Sequence, residues 1–319
     1  MKQVWEPALD ASQSAAEQGD GRVTVAVAGI GRWGTNVLRA ASNLQGFHVS
    51  AVADPSAAPN SDWRRFTTLE LLLQREHVEA VLIATPPEAH FAHARAALEA
   101  GCHVFVEKPL ARSVAEAVAL VDLARDRDRC LMVGHILRYH PRIAAMRELL
   151  LSGELGRPVE FRSLRHISRR SEEDPWWCLA PHDLSLFEYL LGSRIRRVAC
   201  RHEHRRVVAE LKADSALTGT VDVGVGEKRS QITVVCEYGC VEFSGQRPSL
   251  LVSRGSHQFE ISVPEFEPLR LELQHFATCI RQQRAPLTDG SEGARVVRVL
   301  CAGEASRASG GLWRSVSGS

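Results

Sequence analysis

A short apolar run, VTVAVAG from Val23 to Gly29, opens directly into Gly29-Ile30-Gly31-Arg32-Trp33-Gly34, and the residues from Arg32 to Ala41 suit a helix. An uninterrupted apolar run of this length marks a strand buried on both faces, as in a parallel sheet covered by helices. The three glycines meet separate demands. The first permits a tight turn, the second lets backbone approach a ligand where a Cβ would obstruct it, and the third lets helix and strand pack closely. Amides at the start of such a helix point outward, and the helix dipole favours negative charge there, so the turn is a seat for a pyrophosphate.

Glycine turns are common, so the context decides. Asp54 ends the next apolar run, HVSAVAD from His48, and lies 20 residues beyond Gly34. A carboxylate there accepts from both adenosine ribose hydroxyls and repels a 2′-phosphate. No basic residue follows it until Arg64. The reading is NAD(H) rather than NADP(H).

The alternation continues. Thr68 caps a helix through Arg75, and Val78–Ala84 is a third strand. Glu88–Ala100 is helical and ends at Gly101, and His103–Val106 is a fourth strand. Ser113-Val114-Ala115-Glu116 is a capping box that opens the next helix, and Cys130–Gly134 is a fifth strand. Strand and helix in turn, with short connections, give a doubly wound parallel sheet with right-handed crossovers.

After about Pro141 the pattern changes. A helix runs through Leu151, then come a strand at Val159–Ile167 and a helix at His182–Leu191 stopped by Gly192. From Arg194 to Val263 short alternating runs separated by glycine turns read as antiparallel strands, and two helices follow, Leu269–Arg284 and Ser291–Ala308. The expected fold class is α/β: an N-terminal Rossmann doubly wound parallel sheet plus a C-terminal α+β domain with a largely antiparallel open sheet. The expected divisions are a tail at 1–21, a dinucleotide-binding domain at 22–140, a substrate-binding and oligomerisation domain at 141–308, and a tail at 309–319.

Composition removes several alternatives. A net charge of +1 over 319 residues creates no field that attracts nucleic acid or an anionic membrane. No stretch reaches the roughly 18 apolar residues of a membrane span. The polar N-terminus lacks the apolar stretch of a signal peptide. The eight cysteines form no Cys-x-x-Cys pair and no zinc pattern, so no metal is expected, and free thiols fit a reducing cytoplasm.

Further segments follow the ends of the expected strands. Ala84-Thr85-Pro86-Pro87-Glu88-Ala89-His90 follows the third, Glu107-Lys108-Pro109-Leu110 the fourth, and Val133-Gly134-His135-Ile136-Leu137-Arg138-Tyr139-His140-Pro141 the fifth; Ala180-Pro181-His182-Asp183-Leu184-Ser185 starts a helix in the second domain. With the glycine turn, these segments resemble the glucose–fructose oxidoreductase / inositol dehydrogenase (Gfo/Idh/MocA) family over nearly the whole chain. The resemblance implies that Gly29, Ile30, Gly31, Arg32, Trp33, Gly34, Asp54, Thr85, Pro86, Pro87, His90, Glu107 and Lys108 hold the cofactor. It places Lys108 beside the nicotinamide and the substrate's reacting oxygen, where an ammonium stabilises a developing alkoxide or donates a proton. It makes His182 the acid/base on the substrate hydroxyl, a task that suits a group titrating near neutrality. Arg138, Tyr139, Cys178, His182, Asp183 and Lys108 are then the candidates for substrate contact. Arg162 to Trp177, with its arginines, His166, Trp176 and Trp177, is either a binding segment for a charged or glycosylated substrate or a solvated surface loop.

The sequence departs from the family at one position. The usual pattern is Asp-x-x-x-His, and this chain has Cys178-Leu179-Ala180-Pro181-His182. A thiol is a weak hydrogen-bonding group and cannot do a carboxylate's work. The substrate can lack the hydroxyl that the Asp binds, Asp183 or Asp174 can supply a carboxylate, catalysis can be weakened or lost, or Cys178 can itself be a reactive thiolate. The expected activity is an NAD(H)-dependent oxidoreductase acting on a secondary alcohol or ketone of a sugar, sugar nucleotide or cyclitol, in a homodimer or homotetramer. The alternatives are a cofactor-binding sensor or partner module, and an enzyme that uses bound NAD transiently for elimination, epimerisation or glycoside cleavage.

Overall fold

The computed structural model describes residues 21–56, 63–168 and 174–316. These residues form two units. One runs through Ile136 and also holds Glu267–Val297; the other holds Leu137–Phe266 and the residues from Arg298 onward.

The first unit is built on six parallel strands: β1 (Val23–Ala28), β2 (Phe47–Ala53), β3 (Arg64–Phe66), β4 (Ala80–Ile83), β5 (His103–Glu107) and β6 (Leu131–Gly134). Their order is β3-β2-β1-β4-β5-β6, so the winding direction reverses between β1 and β4. In an open α/β sheet the crevice outside the strand ends at that reversal is where ligands bind. β4 and β6 are buried at every residue, as strands covered on both faces require. The short β3 strand was not expected; Arg64-Arg65-Phe66 has no apolar run, and its register comes from pairing with Ala51–Ala53.

Helices α1 (Gly34–Ser42), α2 (Leu69–Arg75), α3 (His90–Glu99) and α4 (Val114–Asp126) make the crossovers. Thr68 accepts a hydrogen bond from the Leu71 amide at the start of α2, and the Ser113–Glu116 capping box is formed in full. Gly101 follows α3 with φ +83°, a left-handed conformation that glycine adopts without a Cβ penalty.

In the second unit α5 (Pro141–Ser152) leads to β7 (Pro158–Ile167), the short α6 (Pro175–Cys178) and α7 (Ala180–Leu191), which ends at Gly192 in the left-handed region. Strands β8 (Ile195–Glu203), β9 (Arg206–Ala213), β10 (Thr218–Val225), β11 (Arg229–Cys236), β12 (Gly239–Ser244), β13 (Ser249–Arg254) and β14 (His257–Ser262) complete the sheet with β7, and only the β7–β10 pairing is parallel. α7 packs on β7 and β10. The Phe187 ring meets Phe161 edge-on at 5.4 Å, and Gly219 leaves room for it, since a Cβ there would stand 2.7 Å from Phe187.

The expected domain boundaries change in two ways. Helix α8 (Pro268–Gln282) and the first turns of α9 (Gly290–Ala308) pack with the first unit, not with the sheet that precedes them. On α8, Phe276 meets Phe47 at 6.4 Å and Phe105 at 6.0 Å between ring centroids. The expected C-terminal tail also contains structure: β15 (Arg314–Ser315) pairs with β8 at the sheet edge. All but one residue of the expected N-terminal tail lies outside the described residues. No helix among the described residues is long and apolar enough to cross a membrane.

Candidate functional site

The glycine turn follows β1 and leads into α1 at the carboxyl edge of the first sheet, beside the reversal. The geometry separates its three glycines. Gly29 has φ +83°, and a Cβ on it would lie 2.7 Å from the amide nitrogen of Thr85. A Cβ on Gly34 would lie 1.9 Å from the Gly29 carbonyl oxygen. Both are buried where chain meets chain. Gly31 is exposed, and nothing lies within 4 Å of its Cβ position. It needs no glycine for folding, so the open space above it is a cradle into which a side chain would intrude. Its carbonyl is held from behind by the Thr35 amide and hydroxyl at 3.0 and 2.9 Å.

Asp54 follows β2 with its carboxylate already oriented. One oxygen accepts from the Ile30 amide at 2.8 Å, and the other accepts from the Ser56 amide at 2.8 Å and its hydroxyl at 2.6 Å. Partial burial alone would raise this carboxyl, but the bonds from Ser56 and Ile30 outweigh it and hold Asp54 below the ordinary carboxylate range. The group is therefore an anion at neutral pH, fixed to the same turn that holds Gly31.

Thr85-Pro86-Pro87 follows β4, and Glu107-Lys108-Pro109 ends β5 and continues beyond it through a cis Lys108–Pro109 bond. His90 links the two segments. Its Nε2 lies 2.9 Å from the Thr85 carbonyl oxygen and its Nδ1 lies 2.7 Å from the Pro109 carbonyl oxygen. The ring is 1% exposed, and burial holds it below the ordinary histidine range despite the two carbonyls. Both ring nitrogens of His90, expected as a cofactor contact, lie against backbone carbonyls. The Thr85 hydroxyl meets His93 Nδ1 at 3.1 Å.

Glu107 is buried as well. One oxygen accepts from the Trp33 indole at 2.5 Å and the other from the Lys108 amide at 3.3 Å. Burial raises its carboxyl, while Lys108 and Trp33 pull the other way. Trp33 is thus tied to the end of β5, although the ring itself is 41% exposed. Lys108 is half-buried at the same edge. The glycine turn, Asp54, Thr85 and Lys108 therefore gather at the carboxyl ends of β1, β2, β4 and β5.

In the second unit the expected residues divide. His182 and Cys178 are half-buried, and Cys178 donates its amide to the Asp174 carbonyl on α6. Asp183, expected to touch substrate, is fully buried. Its oxygens accept from Ser163 at 2.7 Å and from Arg165 at 2.7 and 3.0 Å, an ion pair that fastens α7 to β7. Asp174 caps α6 through the Trp176 amide and pairs with Arg307. Neither aspartate is available to stand in for the carboxylate replaced by Cys178. Arg138 is buried with its guanidinium over the Tyr189 ring at 4.6 Å, and Tyr139 is half-buried.

The arginine- and tryptophan-rich segment is largely structural. Arg162 pairs with Glu160, and His166 with Asp222. Trp176 and Trp177 are buried at 0% and 4% exposure, and the Trp176 indole donates to the Leu300 carbonyl at 2.8 Å. Residues 169–173 of this segment lie outside the described residues.

Sequence reasoning missed three supporting residues. Ser56, two positions after Asp54, forms the turn that an aspartate commonly makes with backbone two residues on. Thr35 locks the glycine turn through the Ile30 and Gly31 carbonyls. Glu272 on α8 is 0% exposed, and neither of its oxygens meets a hydrogen-bond donor among the described residues. Among the described residues no group of three His, Cys, Asp or Glu forms a metal site.

Residues 23–135 match the GFO_IDH_MocA family model, described as an oxidoreductase family with an NAD-binding Rossmann fold. The chain is 29% identical over 299 residues to UDP-N-acetylglucosamine 3-dehydrogenase of Acidithiobacillus ferrooxidans, covering 86% of this chain and 92% of that protein. It is also 29% identical over 305 residues to 4-carboxy-2-hydroxymuconate-6-semialdehyde dehydrogenase of a Sphingobium strain, covering 86% and 96%. Among solved structures, scyllo-inositol dehydrogenase from Lactobacillus casei, crystallised with NAD(H) and scyllo-inositol, superposes with a TM-score of 0.80 at 15% identity, over 92% of this chain and 99% of that one. That likeness is one of fold.

Proposed function

Because the chain belongs to the Gfo/Idh/MocA oxidoreductase family, we propose that it is an NAD(H)-dependent oxidoreductase acting on a secondary alcohol or ketone of a sugar, sugar nucleotide or cyclitol. The observation that carries the reading is the division among the three glycines. Two are required by the fold, and the third is required only if something lies against the backbone at Gly31. A pyrophosphate fits that space, because the turn offers amides and the positive end of α1. The anionic Asp54 suits the two ribose hydroxyls of NAD and repels the 2′-phosphate of NADP.

The nicotinamide, when bound, supplies or accepts the hydride. This chain's own residues orient and handle protons. Lys108, at the end of β5, stabilises negative charge developing on the substrate oxygen. His182, matched to the family's acid/base, takes or returns the hydroxyl proton. With Asp183 and Asp174 committed to ion pairs, Lys108 and His182 act without the usual third carboxylate, which points to a substrate lacking the hydroxyl that group would bind.

The test is calorimetric binding of NADH and NADPH, then cofactor turnover against a panel of sugar nucleotides, sugars and cyclitols. Turnover on one of these, lost in both Lys108→Ala and His182→Ala, is expected; near-normal turnover in both variants would refute the assignment. Comparable affinity for NADPH would overturn the choice of cofactor. A homodimer or homotetramer goes with this reading, and light scattering measures it.

A further inference from the structure

Glu272 is a fully buried carboxyl group that the proposed chemistry leaves unused and whose oxygens have no donor among the described residues. Its position follows from the packing of α8 on β5. Phe105 and Glu107 lie on one face of the strand, two residues or about 6.6 Å apart. Glu272 and Phe276 lie on one face of the helix, four residues or about 6 Å apart. The rings of Phe105 and Phe276 meet at 6.0 Å. Arg281, later on α8, donates to the Gly46 carbonyl just before β2, so the helix runs against the strands and the same step along both elements brings Glu272 toward Glu107. Gly134, beside Glu107 on β6, keeps the space open: a Cβ there would press on the Glu107 carboxyl at 3.0 Å.

Two adjacent carboxyls out of water cannot both ionise. The surroundings decide which one keeps the proton. Glu107 receives the Trp33 indole and the Lys108 amide and has the Lys108 ammonium nearby. Glu272 receives nothing. We propose that Glu272 is a neutral carboxylic acid at neutral pH, that its proton is donated to the Glu107 carboxylate, and that this pair holds both Trp33 of the phosphate turn and Lys108 in place.

Glu272 is then a positioning residue that acts through Glu107. The inference rests on the reading of Lys108 and the turn as the cofactor site for its functional meaning, but the protonated pair itself does not. The groups that face it are Glu107 and Lys108 at the end of β5 and Trp33 in the turn after β1; His90 in turn faces Lys108.

The sign of the pH effect follows from the shared proton. Burial and Glu107 raise the Glu272 carboxyl well above its ordinary range. Stability from this group is therefore complete below the unfolded carboxyl pKa and is lost as pH rises toward the folded one.

The experiment compares the full-length protein with Glu272→Gln and Glu272→Leu. Infrared spectra at neutral pH are expected to show a carboxylic-acid carbonyl band in the wild type that is missing in Glu272→Gln. The melting temperature of the wild type is expected to fall more than that of Glu272→Gln as pH rises above the ordinary carboxyl range, because the amide cannot ionise and still donates to Glu107. NADH affinity is expected to stay within about twofold in Glu272→Gln and to weaken about tenfold in Glu272→Leu, which keeps the volume but not the donor.

A missing infrared band, or melting curves that run parallel as pH rises above the ordinary carboxyl range, overturns the protonated pair. Unchanged NADH affinity in Glu272→Leu overturns the positioning role. The infrared and melting measurements use no substrate or cofactor, so their failure leaves the oxidoreductase reading standing. Failure of the wild type to bind NADH would instead remove that reading and leave the pair.

Discussion

Replacing Gly31 by alanine tests the cofactor site more sharply than removing a charged residue, because the structure gives it no reason to affect folding. No atom lies within 4 Å of the new Cβ, and Gly31 is not among the glycines with positive φ. Unfolded-chain entropy favours the variant by about 0.4–1 kcal/mol. Its melting temperature without cofactor should therefore equal or slightly exceed that of the wild type. Binding should respond differently. A methyl group standing about 1.5 Å off the backbone pushes a pyrophosphate out of reach of the turn's amides, and each lost hydrogen bond to a charged group is worth about 1.5–3 kcal/mol. One such bond corresponds to a Kd for NADH raised at least tenfold. Gly34→Ala is the control with the opposite signature. Its Cβ would stand 1.9 Å from a backbone oxygen that cannot swing away, so strain of about 1–3 kcal/mol or more falls on the fold itself. Calorimetric titration with NADH and thermal unfolding of the three proteins give both readouts. A Gly31→Ala protein that melts like the wild type and binds NADH equally well would refute the turn as the pyrophosphate seat.

Two further outcomes follow from buried charges. Asp183→Ala leaves Arg165 without its buried partner and should destabilise the second unit by about 3–5 kcal/mol, measured by denaturant unfolding; a stable variant with impaired turnover would return Asp183 to the substrate site. His140 is held at about 4 by burial and by Arg142, so it binds protons less readily in the folded protein than in the unfolded chain. Stability from this residue is complete above the ordinary histidine value of about 6.5 and is lost as pH falls toward 4, by up to about 3 kcal/mol; His140→Gln should flatten that part of a melting-temperature series, and an unchanged slope would contradict the assignment.

The readable parts of the sequence were those whose cause is local. The strand–turn–helix at Gly29–Gly34, the Thr68 cap and the Ser113–Glu116 capping box each depend on residues within a few positions, and each stands where the sequence put it. β3 was hidden because Arg64-Arg65-Phe66 carries no period of its own and becomes a strand only beside β2. The return of α8 to the first unit was hidden because amphipathicity fixes which face of a helix is buried but not against what. Asp183 illustrates the same limit. Its place beside His182 suggested an exposed polar site, whereas α7 turns it inward to Ser163 and Arg165, residues about 20 positions earlier in the chain. Glu272 left a trace that was legible: it shares the helix face of Leu269, Leu273 and Phe276, an acid among apolar residues at helical spacing.

These hidden partners explain why Lys108 is better defined than its motif implies. A lysine closing a strand has a long stem, and its own sequence neighbourhood restricts little beyond the backbone before Pro109. The restriction comes from elsewhere. His90 reaches from α3 to the Pro109 carbonyl on one side of Lys108, and Trp33 reaches from the phosphate turn to Glu107 on the other. A neutral His90 ring can donate to only one of its two carbonyls, because its other nitrogen is an acceptor facing an acceptor. Glu107, by contrast, accepts at both oxygens. The connection from the glycine turn to the end of β5 is the one that depends on the state of a carboxyl group. The glycine turn and the end of β5 are thus joined through two side chains, Trp33 and Glu107, whose contact neither sequence motif shows by itself.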